Sequence, residues 1–141
     1  MVLDHAAEFI VIRNMNINEV AEAWVEMWSY EVNDPERVKF GWVEDFEYEA
    51  THEKPEIGLE LILAALEKTQ SSHILEVLSA GPLEDLLVYH GERIIEKVEI
   101  EARKNKRFAS LLGGVWQNAM PDHIWDRIRK VWDRSGWDGN A

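Results

Sequence analysis

Apolar residues recur along this chain at three- and four-residue intervals, the period of an α-helix lying with one face on a core. Ile17, Val20, Ala21, Trp24, Met27 and Trp28 form the first such stripe, with Glu19, Glu22 and Glu26 on the other side. Asn16 or Asn18 can cap its start with a side-chain oxygen. Asn33-Asp34-Pro35 interrupts the stripe, with Asp34 as cap and Pro35 as first position of a second helix running to about Ala50. Proline suits that position because the N–H it lacks would have had no partner there. Glu53-Lys54-Pro55 repeats the device and opens a third helix, buried along Ile57, Leu61, Ala64, Ala65 and Leu66. Ser71 or Ser72 caps a fourth, which carries Ile74, Leu75, Val77 and Leu78.

The segment from Ala80 to Gly91 predicts two sharp turns. Gly81 is expected to close one helix in the left-handed conformation, Pro82 to open the next, and Gly91 to close that one. Glu84 and Asp85 then lie in a first turn, where the helix dipole favours anions, and His90 in a last turn as a cation or cap. Glu92 to Lys104 follows, with Ile94, Ile95, Val98 and Ala102 inward and Glu99 four residues before Arg103. Arg107 to Leu112 is a short helix ended by Gly113-Gly114, and Trp116 is expected to pack under that turn. Pro121 opens the last helix, with Ile124, Trp125, Ile128, Val131 and Trp132 on its apolar face. No run reads as a strand. The pattern predicts a single all-α domain over 1–141, about eight short helices in an orthogonal or solenoid-like bundle, with 134–141 a frayed tail.

Composition removes several chemistries. The 141 residues can bury a sizeable core, and 46% of them are hydrophobic. The absence of cysteine excludes disulfides, thiolate zinc sites and cysteine nucleophiles. Asp4 and Glu8 stand where a secretory signal carries positive charge, and Phe9-Ile10-Val11-Ile12 is too short for its apolar run. No stretch approaches the roughly 18 apolar residues of a membrane helix. A soluble cytoplasmic protein is expected.

Charge is unevenly placed. Residues 1–90 hold 19 Asp and Glu against 5 Lys and Arg, a balance of −14; residues 91–141 hold 8 against 10, or +2. The acidic part repels nucleic acid and membrane phosphates and would speed association with a basic protein. Within it, Phe40-Gly41-Trp42-Val43-Glu44-Asp45-Phe46-Glu47-Tyr48-Glu49 interleaves aromatic residues with carboxylates. An aromatic anchor ringed by acids suits a basic partner. Trp42, Glu44, Asp45, Glu47, Tyr48 and Glu49 are therefore the candidate partner-binding residues, although alternation of this kind also arises from one inward and one outward helix face. Trp24, Trp28, Trp125 and Trp132 lie on apolar stripes and are expected in the core.

Acid–base chemistry has one candidate centre, Glu84, Asp85 and His90, since a histidine beside carboxylates can titrate near neutrality. The spacing opposes it: intervals of five and six residues set neither carboxylate over the imidazole on a straight helix. His73 with Glu76, and His123 with Asp126, could each offer a metal two ligands, but nothing in the sequence makes the pairs converge. Gly113-Gly114 lacks the glycine spacing and Lys-Ser/Thr of a P-loop. No catalytic residue, cofactor or metal is expected.

From Leu75 to Val131 the chain resembles a bacterial family catalogued only as a domain of unknown function. The resemblance rests on Ala80-Gly81-Pro82-Leu83-Glu84-Asp85-Leu86-Leu87, His90-Gly91, Phe108, Leu111-Leu112-Gly113-Gly114-Val115-Trp116 and Trp125, with Trp24 and Pro55-Glu56 upstream. It implies a helical fold and brings no established activity. By analogy with small acidic helical bacterial proteins, the expected function is a protein-binding inhibitor, such as an immunity protein neutralising a basic toxin or effector. The alternatives are a phage or prophage inhibitor of a bacterial defence system and an enzyme centred on Glu84, Asp85 and His90.

Overall fold

Capping side chains hold helix starts through the backbone donors that a cap requires. Asn16 Oδ1 accepts from the Asn18 N–H at 2.8 Å, Asp34 Oδ1 from Glu36 at 2.9 Å, and Ser71 Oγ from Ile74 at 3.3 Å. The structure is a computed structural model and describes residues 15–137. The N-terminal features Asp4, Glu8 and Phe9 to Ile12 lie outside the described residues.

Helix α1 (Ile17–Trp28) buries Val20, Ala21, Trp24 and Met27, as its stripe requires. Asp34 opens a 3₁₀ turn (Pro35–Phe40), through which the chain enters α2 (Gly41–Glu53), so the second helix starts later and ends later than its sequence pattern suggests. Helix α3 (Pro55–Glu67) buries Pro55, Gly58, Leu59, Leu61, Ile62, Ala64, Ala65 and Leu66. A helix apolar on most of its circumference belongs inside, and α3 packs against both α1 and α2. After α4 (Ser72–Leu78) come a π-helical turn (Ser79–Leu83) and the long α5 (Glu84–Lys104), which packs on α2 and α3. Two short helices, α6 (Lys106–Leu112) and α7 (Asp122–Arg129), pack on α5. Asn105 caps α6, its Oδ1 accepting from Phe108 at 3.2 Å.

The all-α class is thus established, but the Gly81-Pro82 segment is not a hairpin. α4, the π turn and α5 run on without a break, leaving six helices among the described residues rather than about eight. A π turn adds a residue to one turn and spreads the backbone there. That gives Pro82 room where its missing N–H and its ring would otherwise break the ladder. The segment is held from outside as well: Pro82 and Leu83 are buried, and the buried Ser79 hydroxyl donates to the Leu111 carbonyl at 2.9 Å. Gly81 is not left-handed, and a Cβ there would meet nothing within 4 Å. Among the described residues the positive φ belongs to Asn118, at 44°.

The helix end expected at Gly91 falls one residue earlier, at His90 (φ −133°, ψ 26°), where two helical segments of α5 meet across a kink. Gly91 itself is not left-handed. Gly91 serves the approach of α7 instead, since a Cβ would lie 3.1 Å from Ile124 Cγ1 and Cγ2. α7 stops at Arg129, so Val131 and Trp132 follow the helix, with Trp132 edge-on to Trp125 at 5.2 Å. Of the tail expected to be frayed, residues 134–137 are docked on the α6 region, and residues 138–141 lie outside the described residues. Arg134 Nη1 donates to the Gly113 carbonyl at 3.0 Å and Trp137 Nε1 to that of Ser110 at 2.6 Å. Trp137 also fills the space beside Gly114, lying 2.6 Å from where a Cβ would stand. The place under the turn is therefore taken, and Trp116, expected there, is 67% exposed.

Candidate functional site

The 3.6-residue period of α2 sends Val43, Phe46 and Ala50 into the core and leaves Asp45, Tyr48 and His52 on the opposite side. The six candidate partner-binding residues divide accordingly. Trp42, Glu44, Asp45 and Tyr48 are exposed, Tyr48 by 62%. Glu49 is buried, and Glu47 turns inward, where its Oε1 accepts from Trp24 Nε1 at 2.5 Å. Loss of water pushes the Glu47 carboxyl above the usual carboxylate range; the Trp24 hydrogen bond opposes this and the charges of Asp85 and Glu44 reinforce it.

Three rings join α2 to α5. Tyr48 stacks on His52 with centroids 4.0 Å apart and planes 15° from parallel, and His52 meets Tyr89 at 4.4 Å and 40°. Tyr89 is 58% exposed. The ladder is fixed by main-chain bonds. His52 Nδ1 lies 3.0 Å from both the Tyr48 carbonyl and the Thr51 hydroxyl, and His90 Nε2–H donates to the His52 carbonyl at 2.6 Å. A carbonyl only accepts, so His90 Nε2 carries its proton. His90 thereby caps the end of α2, across 38 residues of sequence, rather than a helix of its own.

Glu84, Asp85 and His90 are not brought together. Glu84 Oε1 accepts from the Trp116 backbone N–H at 3.0 Å and Oε2 from Asn118 Nδ2 at 2.8 Å, so both oxygens pin the 116–118 loop. Neither acid sits at a free helix N-terminus, because the run passes straight through. Asp85 faces α2. Desolvation raises its pKa, the His52 imidazole opposes the rise, and Glu84 adds to it. Where α5 kinks, a groove of about 350 Å³ opens between Val88, Tyr89 and His90 and the start of α7 at Pro121 and Ile124.

Further along α5 the charges pair across helices. Arg127 grips Glu99 through Nε at 3.0 Å and Nη2 at 2.5 Å, where Glu99 had suggested a bond to Arg103. Arg93 holds Glu56 at 3.0 and 3.2 Å, and His123 Nε2 meets Glu92 at 2.8 Å. Among the described residues no group of three or more His, Cys, Asp or Glu is arranged to hold a metal ion. No helix among them is long and apolar enough to cross a membrane.

A family model described as a family of unknown function, DUF6869, matches residues 30–136. The chain belongs to this family. The DUF6869 match begins well upstream of Leu75, where the resemblance in the sequence started. It therefore takes in Pro55-Glu56 and the whole of α2, while Trp24 precedes it. Both sides of the ring ladder lie inside the DUF6869 domain. No curated protein and no solved structure matches the chain. The ladder itself was only half legible: the four-residue interval from Tyr48 to His52 is visible in sequence, whereas Tyr89 arrives through tertiary packing.

Proposed function

We propose that this DUF6869 domain is a cytoplasmic protein-binding inhibitor whose α2–α5 face engages a basic partner, as an immunity protein engages a toxin or effector. The observation that carries the reading is the ring ladder, with both outer tyrosines in water although the backbone around them is tied down. Rigid, exposed tyrosines offer contact area at little cost in conformational entropy. Exposed Glu44 and Asp45 on the same helix, within residues 1–90 that carry −14, set the sign of the partner. Glu84 and His90 are engaged with backbone groups, which favours binding over catalysis at that motif. An inhibitor of a bacterial defence system would use the same face on another basic target, and neighbouring reading frames separate the two settings.

Affinity capture from the native host, with the wild type and a Tyr48→Ala/Tyr89→Ala variant as parallel baits, tests the reading. A basic protein retained by the wild type alone, with association slowed by salt, is expected. Identical captures by the two baits would remove the face from the account.

A further inference from the structure

We infer that the group this face captures is an arginine of an extended basic segment, its guanidinium stacked on the Tyr48–His52–Tyr89 ladder and its flanking residues laid in the groove beside the α5 kink. The inference rests on the protein-binding reading above and names the chemistry of the partner. Its first support is continuity: Tyr89 belongs both to the ladder and to the lining of the groove, so one segment can cross from ring to cleft. The groove offers apolar contact through Val88 and Pro121, with Glu92 standing exposed at its edge.

Charge complementarity selects a cation. Asp45 shares the exposed face of α2 with Tyr48, and the Asp85 carboxylate on α5 is near enough to interact electrostatically with His52 of the ladder. The cation lining the groove, Arg93, is neutralised by its two bonds to Glu56, and His123 is bonded to Glu92. An acidic segment would meet these carboxylates; a basic one is drawn to them.

Flat rings select arginine over lysine. A guanidinium is planar and weakly hydrated and lies face to face on an aromatic ring, whereas an ammonium is a compact, strongly hydrated charge. Within the chain both cations lie over rings, the Arg37 guanidinium 4.4 Å from the Trp28 centroid and Lys39 Nζ 5.3 Å from that of Phe40, with the guanidinium at the shorter distance.

Calorimetric titration of the full chain with a flexible peptide alternating arginine and glycine, and with its lysine counterpart, tests the assignment. The arginine peptide should bind about fivefold more tightly. Tyr48→Ala/Tyr89→Ala should abolish that preference, while Tyr48→Phe/Tyr89→Phe, which keeps the rings, should retain it. Both tyrosines are exposed, so the helical spectrum should be unchanged. If the double alanine variant unfolds, the two single alanine variants carry the comparison. Equal binding of the two peptides, or a preference that survives removal of both rings, overturns the arginine assignment and leaves the basic partner standing. Failure of both peptides to bind at all overturns both.

Discussion

On the α2 side of the molecule Glu47 and Asp85 are withdrawn from water beside other carboxylates, whereas on the α7 side Glu99 and Glu92 face Arg127 and His123 across a helix contact. Burial raises the first two acids, and the hydrogen bond from Arg127 lowers Glu99. The consequences for stability have opposite signs. A carboxyl whose folded pKa is raised keeps a proton that the unfolded chain has released. Its contribution therefore declines as pH climbs from the ordinary value toward the folded one. A carboxyl whose folded pKa is lowered contributes above the ordinary value and loses that contribution as pH falls through the folded one. The α7 side uses charge to fasten helices together, whereas the α2 side keeps carboxylates withdrawn from water at a cost.

Trp24→Phe should break this contrast hardest. The indole is 1% exposed and its N–H is the hydrogen-bond donor to Glu47 Oε1. Phenylalanine leaves a partly buried carboxylate without that donor and a small void beside it. The expected loss is about 3 kcal/mol in urea unfolding at neutral pH. The loss should shrink in mildly acidic buffer, where Glu47 takes up a proton. A loss independent of pH would mean that the void alone accounts for it.

Arg127→Gln acts on the other side and should do less, because the pair is partly open to solvent. A modest drop in melting temperature is expected at neutral pH, vanishing once the pH falls below the lowered pKa of Glu99. Both losses should shrink as pH falls but in different ranges, that of Trp24→Phe above the ordinary carboxylate value and that of Arg127→Gln below it; a common range would erase the contrast between the two sides.

How much of this was legible from sequence depended on the range of the interaction. The caps at Asn16, Asp34 and Ser71 and the buried stripes of α1, α3 and α5 are local and were readable from residue type and spacing. The glycine and proline rules failed at Gly81-Pro82 because they price a segment by its own preferences. Here buried Leu78 and Leu83 and the Ser79–Leu111 bond carry the helix through. The aromatic–acidic run of α2 was visible, but not that Glu47 belongs to Trp24 and Glu49 to the interior. Arg107 is a further case: it caps the end of α3, donating to the Leu66 and Thr69 carbonyls at 2.7 and 2.8 Å, with no local signal.

The smallest effect concerns the span that joins the two sides, the continuous run through Gly81. Its backbone is not left-handed, its surroundings leave a Cβ unopposed within 4 Å, and it sits inside a helical run. Alanine has the greater helix propensity and loses less chain entropy on folding, so Gly81→Ala should be neutral or stabilise by up to about 1 kcal/mol. A hairpin with a left-handed Gly81 would require the reverse, a penalty of about 1–2 kcal/mol for the added Cβ. Thermal melting separates the two by sign. An unchanged or raised midpoint fits an unbroken run from α4 into α5, which holds Glu84 toward the 116–118 loop and Asp85 toward α2 as one rigid piece. A fall of several degrees would mean that the chain turns at Gly81, and the relative placement of the two acids would then have to be redrawn.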